Sequence, residues 1–440
     1  MKRVTIAVLL LASLGGCSLF GRGGSKGPKT PLLGERIAIL SHEGGAEVDP
    51  GLADVPVLVP TAVANSDWAQ SGGNAQKAMG HLALGNALER VWTTSIAGGN
   101  KKKHLAAGPV VAAGTLYVMG TDALIEAFDA RTGAAKWRRS LGVRGDDSDL
   151  VYGGGVSYED GRVYATNGVG DVAALDASTG SVLWKVRPSG PLRGSPTIHS
   201  GQVYVVTQDN QIFALSAQDG KTIWNEAGAL ESSGIFGAAA PAAAQGTVVA
   251  GFSSGELTAF RYENGRAVWQ DALSRTTVST TVASLSDIDA DPVIDEGRVY
   301  AVGEGGRMVA LELVTGQRLW ELNIGGIATP SVAGDWVFVV TDQARLICIS
   351  KLSGKVRWMT ALQQWKKAKK KDQSINWVGP VVAGDRLILA NSRGELVNVG
   401  LADGKVGRSV KNGGPVSQQP VVANNMLYIL DDSGRLSAWR

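Results

Sequence analysis

The chain has 440 residues, a formal net charge of +3, 58 glycines, 15 prolines and 2 cysteines. A balance this close to neutral excludes binding to nucleic acid by charge alone, and the cysteine count excludes a disulfide-stapled scaffold, so the fold has to rest on its apolar core. Abundant glycine together with Val, Ile, Leu and Thr points to short strands and tight turns.

At the start, Lys2 and Arg3 precede an apolar run at 4–11, and small residues lead to Cys17. Residues 1–16 therefore predict a secretory signal, too short to span a bilayer as a mature helix. The stretch "LGGC" at 14–17 resembles the bacterial lipobox, which implies cleavage before Cys17 and lipidation of that residue. The alternative is an ordinary signal peptide with an accidental cysteine. By the same resemblance, Ser18 in place of aspartate implies sorting to the outer membrane. With Cys17 acylated, Cys348 has no cysteine to pair with inside the chain.

Residues 17–64 are rich in Gly and Pro without a clear period and predict a tether between lipid and domain. Two apolar pieces inside it, 36–40 and 55–59, are expected to pack locally on the domain. The domain itself is expected to run from 65 to 440, opening with "NSDWAQSGGNAQ" at 65–76, which resembles the lead-in segment of quinoprotein-type propellers.

From there one unit recurs. Residues 194–226 divide into four apolar runs, 196–199, 203–207, 212–216 and 222–225, separated by turn signals. Each run has strand length, and no helix of ten or so residues fits between the turns. Four antiparallel strands in a meander make a propeller blade. The first run recurs at 108, 155, 194, 239, 291, 329, 379 and 419, eight copies in all. The fourth run carries a tryptophan four residues after a glycine, at Trp137, Trp184, Trp224, Trp269, Trp320 and Trp358, and then degrades at "DGKVGR", where Arg408 stands in its place. Spacings along this series range from 38 residues (Trp320 to Trp358) to 51 (Trp269 to Trp320), as for blades with unequal loops.

The eighth fourth run lies at the other end of the domain. The last repeat stops after its third strand at Arg440, and an orphan outer strand, "LERVWTTS", sits at 88–95 with no strands ahead of it. Pairing the two completes an all-β, eight-bladed propeller of four-stranded antiparallel blades. Its ring is closed by the chain's own termini and has no free sheet edge between first and last blades. The indoles are expected to fill the widening gaps between outer parts of neighbouring blades. Third runs repeatedly carry alanine (Ala127, Ala174, Ala214, Ala259, Ala310), expected to relieve crowding near the axis, and Cys348 falls in that register as a small core residue.

No catalytic or metal-ligating set is implied. His42, His81, His104 and His199 share no ligand spacing. The calcium-loop-like "DIDADPVIDEGR" has Pro292 and Arg298 where glycine and glutamate belong. "GEGGRM" at 303 lacks the last glycine of a dinucleotide loop. Two basic clusters, at 101–103 and 366–371, fall between blades and read as solvated loops. Contact with acidic lipid or an acidic partner is the alternative, and Trp365 and Trp377 flank the second cluster as interface candidates.

A lipobox followed by an eight-bladed tryptophan-repeat propeller resembles the BamB family, the propeller lipoproteins of the outer-membrane β-barrel assembly machinery, over about 68–440. "SLSDIDADPVIDEGRVYA" at 284–301 looks like that family's Leu-Ser-Asp-x-Asp segment, with Asp287 and Asp289 on its acidic positions. The resemblance implies that this loop and a neighbouring Leu-x-Leu-Arg loop bind a periplasmic POTRA domain of BamA, the barrel-forming subunit. Here the companion positions fall on Ser233, Gly234, Ile235 and Phe236, so only Ile235 keeps the apolar character and no arginine is present. The expected protein is a non-enzymatic, cofactor-free scaffold on the periplasmic side of the outer membrane, with unfolded outer-membrane proteins as further partners. The repeat is shared with quinone-dependent dehydrogenases, although this chain lacks their vicinal cysteine pair. An adaptor lipoprotein of another envelope complex fits the same fold.

Overall fold

The structure, a computed structural model, describes residues 46–100, 103–142, 153–229, 239–273 and 287–440. They form eight four-stranded antiparallel blades in a ring, at 110–140, 154–186, 197–227, 242–272, 293–322, 331–361, 377–411 and 421–439, numbered blades 1 to 8. Blade 8 takes its outer strand, Arg90–Ser95, from the beginning of the domain, paired with Arg435–Trp439 from Arg90↔Trp439 to Ser95↔Arg435. Glu89 and Arg440 exchange backbone hydrogen bonds of 2.8 and 2.9 Å. The predicted closure is therefore as the structure has it.

Blade 3 illustrates how the repeat encodes its strands. Gln202–Val206 is buried throughout, because a neighbouring blade covers each face, and so it reads as an unbroken apolar run rather than an alternating one. The outer strand Thr222–Ala227 buries only Trp224. The turn before it is made by Gly220, at φ 74°, whose N–H donates to the Ser216 carbonyl at 2.8 Å. Beyond the turn the register shifts at Ala214/Leu215, leaving Ile223 as an extra, bulged residue on the outer strand.

The tryptophans act as a ring of staples. The Trp137 indole lies over Gly180 of blade 2, where a Cβ would stand 2.6 Å from the ring, and Nε1 donates to the Ala177 carbonyl at 2.9 Å. Trp92, Trp184, Trp224, Trp269, Trp320 and Trp358 repeat both contacts on the next blade. Each turn glycine is thus required twice, for its positive φ and for the indole above it. Blade 7 breaks the series because its neighbour, blade 8, has the unconnected Glu89/Arg440 backbone pair where the glycine turn would be. A tryptophan at 408 would have nothing to cover. Arg90 bridges that seam instead, donating to the Asn412 carbonyl at 2.7 Å and stacking 4.5 Å from the Trp439 ring.

The alanine register corrects one expectation. First strands face the axis, and the third strand is one in from the rim. Ala127, Ala174, Ala214, Ala259, Ala310, Cys348 and Ala438 each sit directly opposite a staple tryptophan. They are small so that a second-strand ring can reach the indole across them: Tyr204 lies 6.0 Å from Trp224 and Tyr117 lies 5.8 Å from Trp137. Cys348 is buried, and burial pushes its thiol well above the ordinary range.

The lead-in segment occupies the axis. Running past the inner strands, Asn65 bonds blade 8, Trp68 blade 1, Ala69 blade 2, Gln70 blade 3, Ala75 blade 4, Gln76 blade 5 and Leu82 blade 7. It supplies partners for inner edges that would otherwise be left open. Upstream, Asp49 donates to the Val356 carbonyl at 2.9 Å on the edge of blade 6, and Val57 is buried between blades 6 and 7. Local packing of 55–59 is therefore observed, while 36–40 lies outside the described residues. His81 ties this stretch down. Its Nδ1–H donates to the Pro60 carbonyl at 2.8 Å, and Nε2 accepts the Asp385 N–H at 3.1 Å.

Candidate partner-binding rim

In an antiparallel meander, all blade-to-blade connections emerge on one face, together with the turns between second and third strands. That connector face carries an opening of about 550 Å³ at the axis, lined by Trp68, His104, Asp289, Asp291, Glu304 and Asp432 among others. Its character is acidic.

Residues 287–291, the described end of the blade 4–5 connection, are held from several sides. Asp287 is 1% exposed, and its Oδ1 accepts from Arg193 Nη2 at 2.6 Å. Asp289 accepts from the same nitrogen at 3.2 Å, with its side chain 12% exposed. Ile288 is buried against Gly251, where a Cβ would stand 2.5 Å away, and its N–H donates to the Phe252 carbonyl at 3.3 Å. Asp291 accepts from Ser71 Oγ at 2.6 Å and from the Ala240 N–H at 2.7 Å, while its own N–H donates to Thr329 Oγ1 at 3.1 Å. Below it Lys77 is buried, donating to Thr197 Oγ1 at 3.1 Å, and burial lowers its ammonium to about 8 against the opposing pull of Asp291. Burial, followed by the adjacent Asp287, raises the Asp289 carboxyl to about 7, with Arg193 opposing.

These placements sort the residues singled out from the sequence. Of the two acidic positions, Asp287 points inward to Arg193 and Asp289 lines the opening. Ile235, Phe236 and Cys17 lie outside the described residues. Trp377 is no interface residue: it is 9% exposed in the core between blades 6 and 7, donating from Nε1 to the Gln363 carbonyl at 2.9 Å. The lysine cluster at 366–371 belongs to an exposed hairpin, Trp365–Lys367 with Asp372–Ser374, on the connector face. Arg193 was missed because it lies 94 residues before Asp287 and in no motif.

The family model for "Outer membrane protein assembly factor BamB" matches residues 121–360, more than half of the chain. The chain belongs to the BamB family of outer membrane protein assembly factors. It is 28% identical over 356 residues to the protein of that name from Yersinia pestis, covering 80% of this chain and 88% of that protein. The crystal structure of BamB from Moraxella catarrhalis superposes with a TM-score of 0.68 at 19% identity, over 80% of this chain and all of that one. A quinohemoprotein alcohol dehydrogenase from Comamonas testosteroni superposes with a TM-score of 0.67 at 14% identity, over 86% and 81% of the two chains, a likeness of fold.

Proposed function

We propose that the chain is a non-enzymatic scaffold lipoprotein of the outer-membrane β-barrel assembly machinery. Lipid on Cys17 ties it to the inner leaflet of the outer membrane, residues 17–64 act as its tether, and connector-face loops hold a POTRA domain of BamA. The observation that carries this reading is the rigidly held 287–291 loop, which presents Asp289 on the connector face. Prior fixation of the loop lowers the entropy lost when a partner docks, and anchoring to the same membrane raises the effective concentration of the two proteins. Ile235 and Phe236 supply the apolar part of the same contact, in place of a charged one, and delivery of unfolded outer-membrane proteins follows from residence in that complex.

The test is capture of the BamA periplasmic region by the full chain in detergent. Wild type is expected to capture it and Asp289→Arg to lose it. Equal capture by both would remove this loop from the interface.

A further inference from the structure

Resting on that reading, we propose that Arg193 is the positioning residue of the partner-holding loop, fixing 287–289 from a different blade connection. Arg193 sits in the connection between blades 2 and 3, two connections away from the loop that it grips. Its own backbone is immobilised, the N–H donating to the Val206 carbonyl at 2.9 Å and the carbonyl accepting from Gly154 N–H at 2.8 Å. From this fixed base the side chain, 2% exposed, reaches the blade 4–5 connection. Nη2 meets Asp287 at 2.6 Å, Asp289 at 3.2 Å and the Ile288 carbonyl at 3.5 Å.

The acidic side of the cluster explains the need for a buried cation. Asp287, Asp289 and Glu304 crowd together, and Glu304 N–H donates to the Asp287 carbonyl at 3.0 Å. Carboxylates packed so closely repel one another unless a cation lies between them. Arg193 therefore sets where Asp289 points, although nearly all of its own surface is hidden from a partner. Asp287 has the same supporting role: its buried carboxylate orients the guanidinium, and Asp289, held by the same nitrogen, keeps its exposed edge on the axial opening.

Two measurements on full-length Arg193→Met test this. Hydrogen exchange at 287–291 is expected to quicken at least about tenfold while blades 1 and 7 keep their protection, and affinity for the BamA periplasmic region is expected to fall at least about tenfold. Arg193→Lys keeps the charge and loses the planar fork. It is expected to fall between the two, and it serves as the test if the methionine variant fails to fold. Unchanged exchange at 287–291, or unchanged affinity where wild type binds, would overturn the proposal. If wild type itself captures nothing, the reading of the partner fails, and the exchange measurement still decides whether Arg193 positions the loop.

Discussion

Replacing Trp224 with alanine removes one staple from the ring. The indole is 7% exposed, lies over Gly265 of blade 4, packs 6.0 Å from both Tyr204 and Phe260, and donates to the Tyr262 carbonyl at 2.7 Å. Truncating a buried aromatic of this size costs about 3–5 kcal/mol. The stranded Tyr262 carbonyl adds to the loss only where water cannot reach it. Trp224→Phe keeps the ring contact without the hydrogen bond, so about 2 kcal/mol is expected. Urea unfolding followed by far-UV circular dichroism measures both, and Gly265→Ala should act like Trp224→Ala, since its Cβ would stand 2.6 Å from the indole. Arg408→Trp is the control: with no turn on blade 8 to cover, it should change stability by less than about 0.5 kcal/mol. A loss below about 1 kcal/mol for Trp224→Ala, or a comparable gain for Arg408→Trp, would refute the staple account.

Removing residues 435–440 deletes Arg435–Trp439 and leaves Arg90–Ser95 without its partner strand. Hydrogen exchange should then show rapid exchange at 90–95, with protection in blades 2 to 5 retained longest. The Asp289 carboxyl, raised to about 7, binds its proton more tightly in the folded chain than in the unfolded one. Its destabilising contribution is absent below the ordinary carboxyl range and grows as pH rises toward 7. Wild type should therefore lose about 2 kcal/mol between pH 5.5 and 8, and Asp289→Asn should flatten that slope in urea titrations at the two pH values. In a Cys17→Ser chain, the Cys348 thiol should stay unreactive to a maleimide until urea unfolds the ring, because it is buried opposite Trp358 and its thiolate is disfavoured.

Most of the fold was legible because its determinants are local and repeated. A glycine four residues before a tryptophan marks a turn and an outer strand, and the orphan strand around Trp92 had only one unfilled place in the ring. The role of alanine was misread, since a strand pattern does not say which strand faces the axis. The cross-strand register, with Ala214 between Tyr204 and Trp224, supplies the cause. Trp377 was misread for a similar reason: lysines next to it in sequence suggest a surface, but the hairpin carries them away and leaves the indole buried. The rim was half legible. A motif located Asp287 and Asp289, whereas Arg193 is brought to them only by the curvature of the ring, which no spacing in the chain reveals.

The most direct test of the scaffold reading uses a photo-crosslinking residue placed in living cells on either face of the ring. At Ile327, 45% exposed beside the axial opening on the connector face, the full-length chain should crosslink to BamA. At Leu352, 72% exposed beside the Gly354 turn on the opposite face, it should not. Crosslinks to BamA from Leu352 and none from Ile327 would contradict the account.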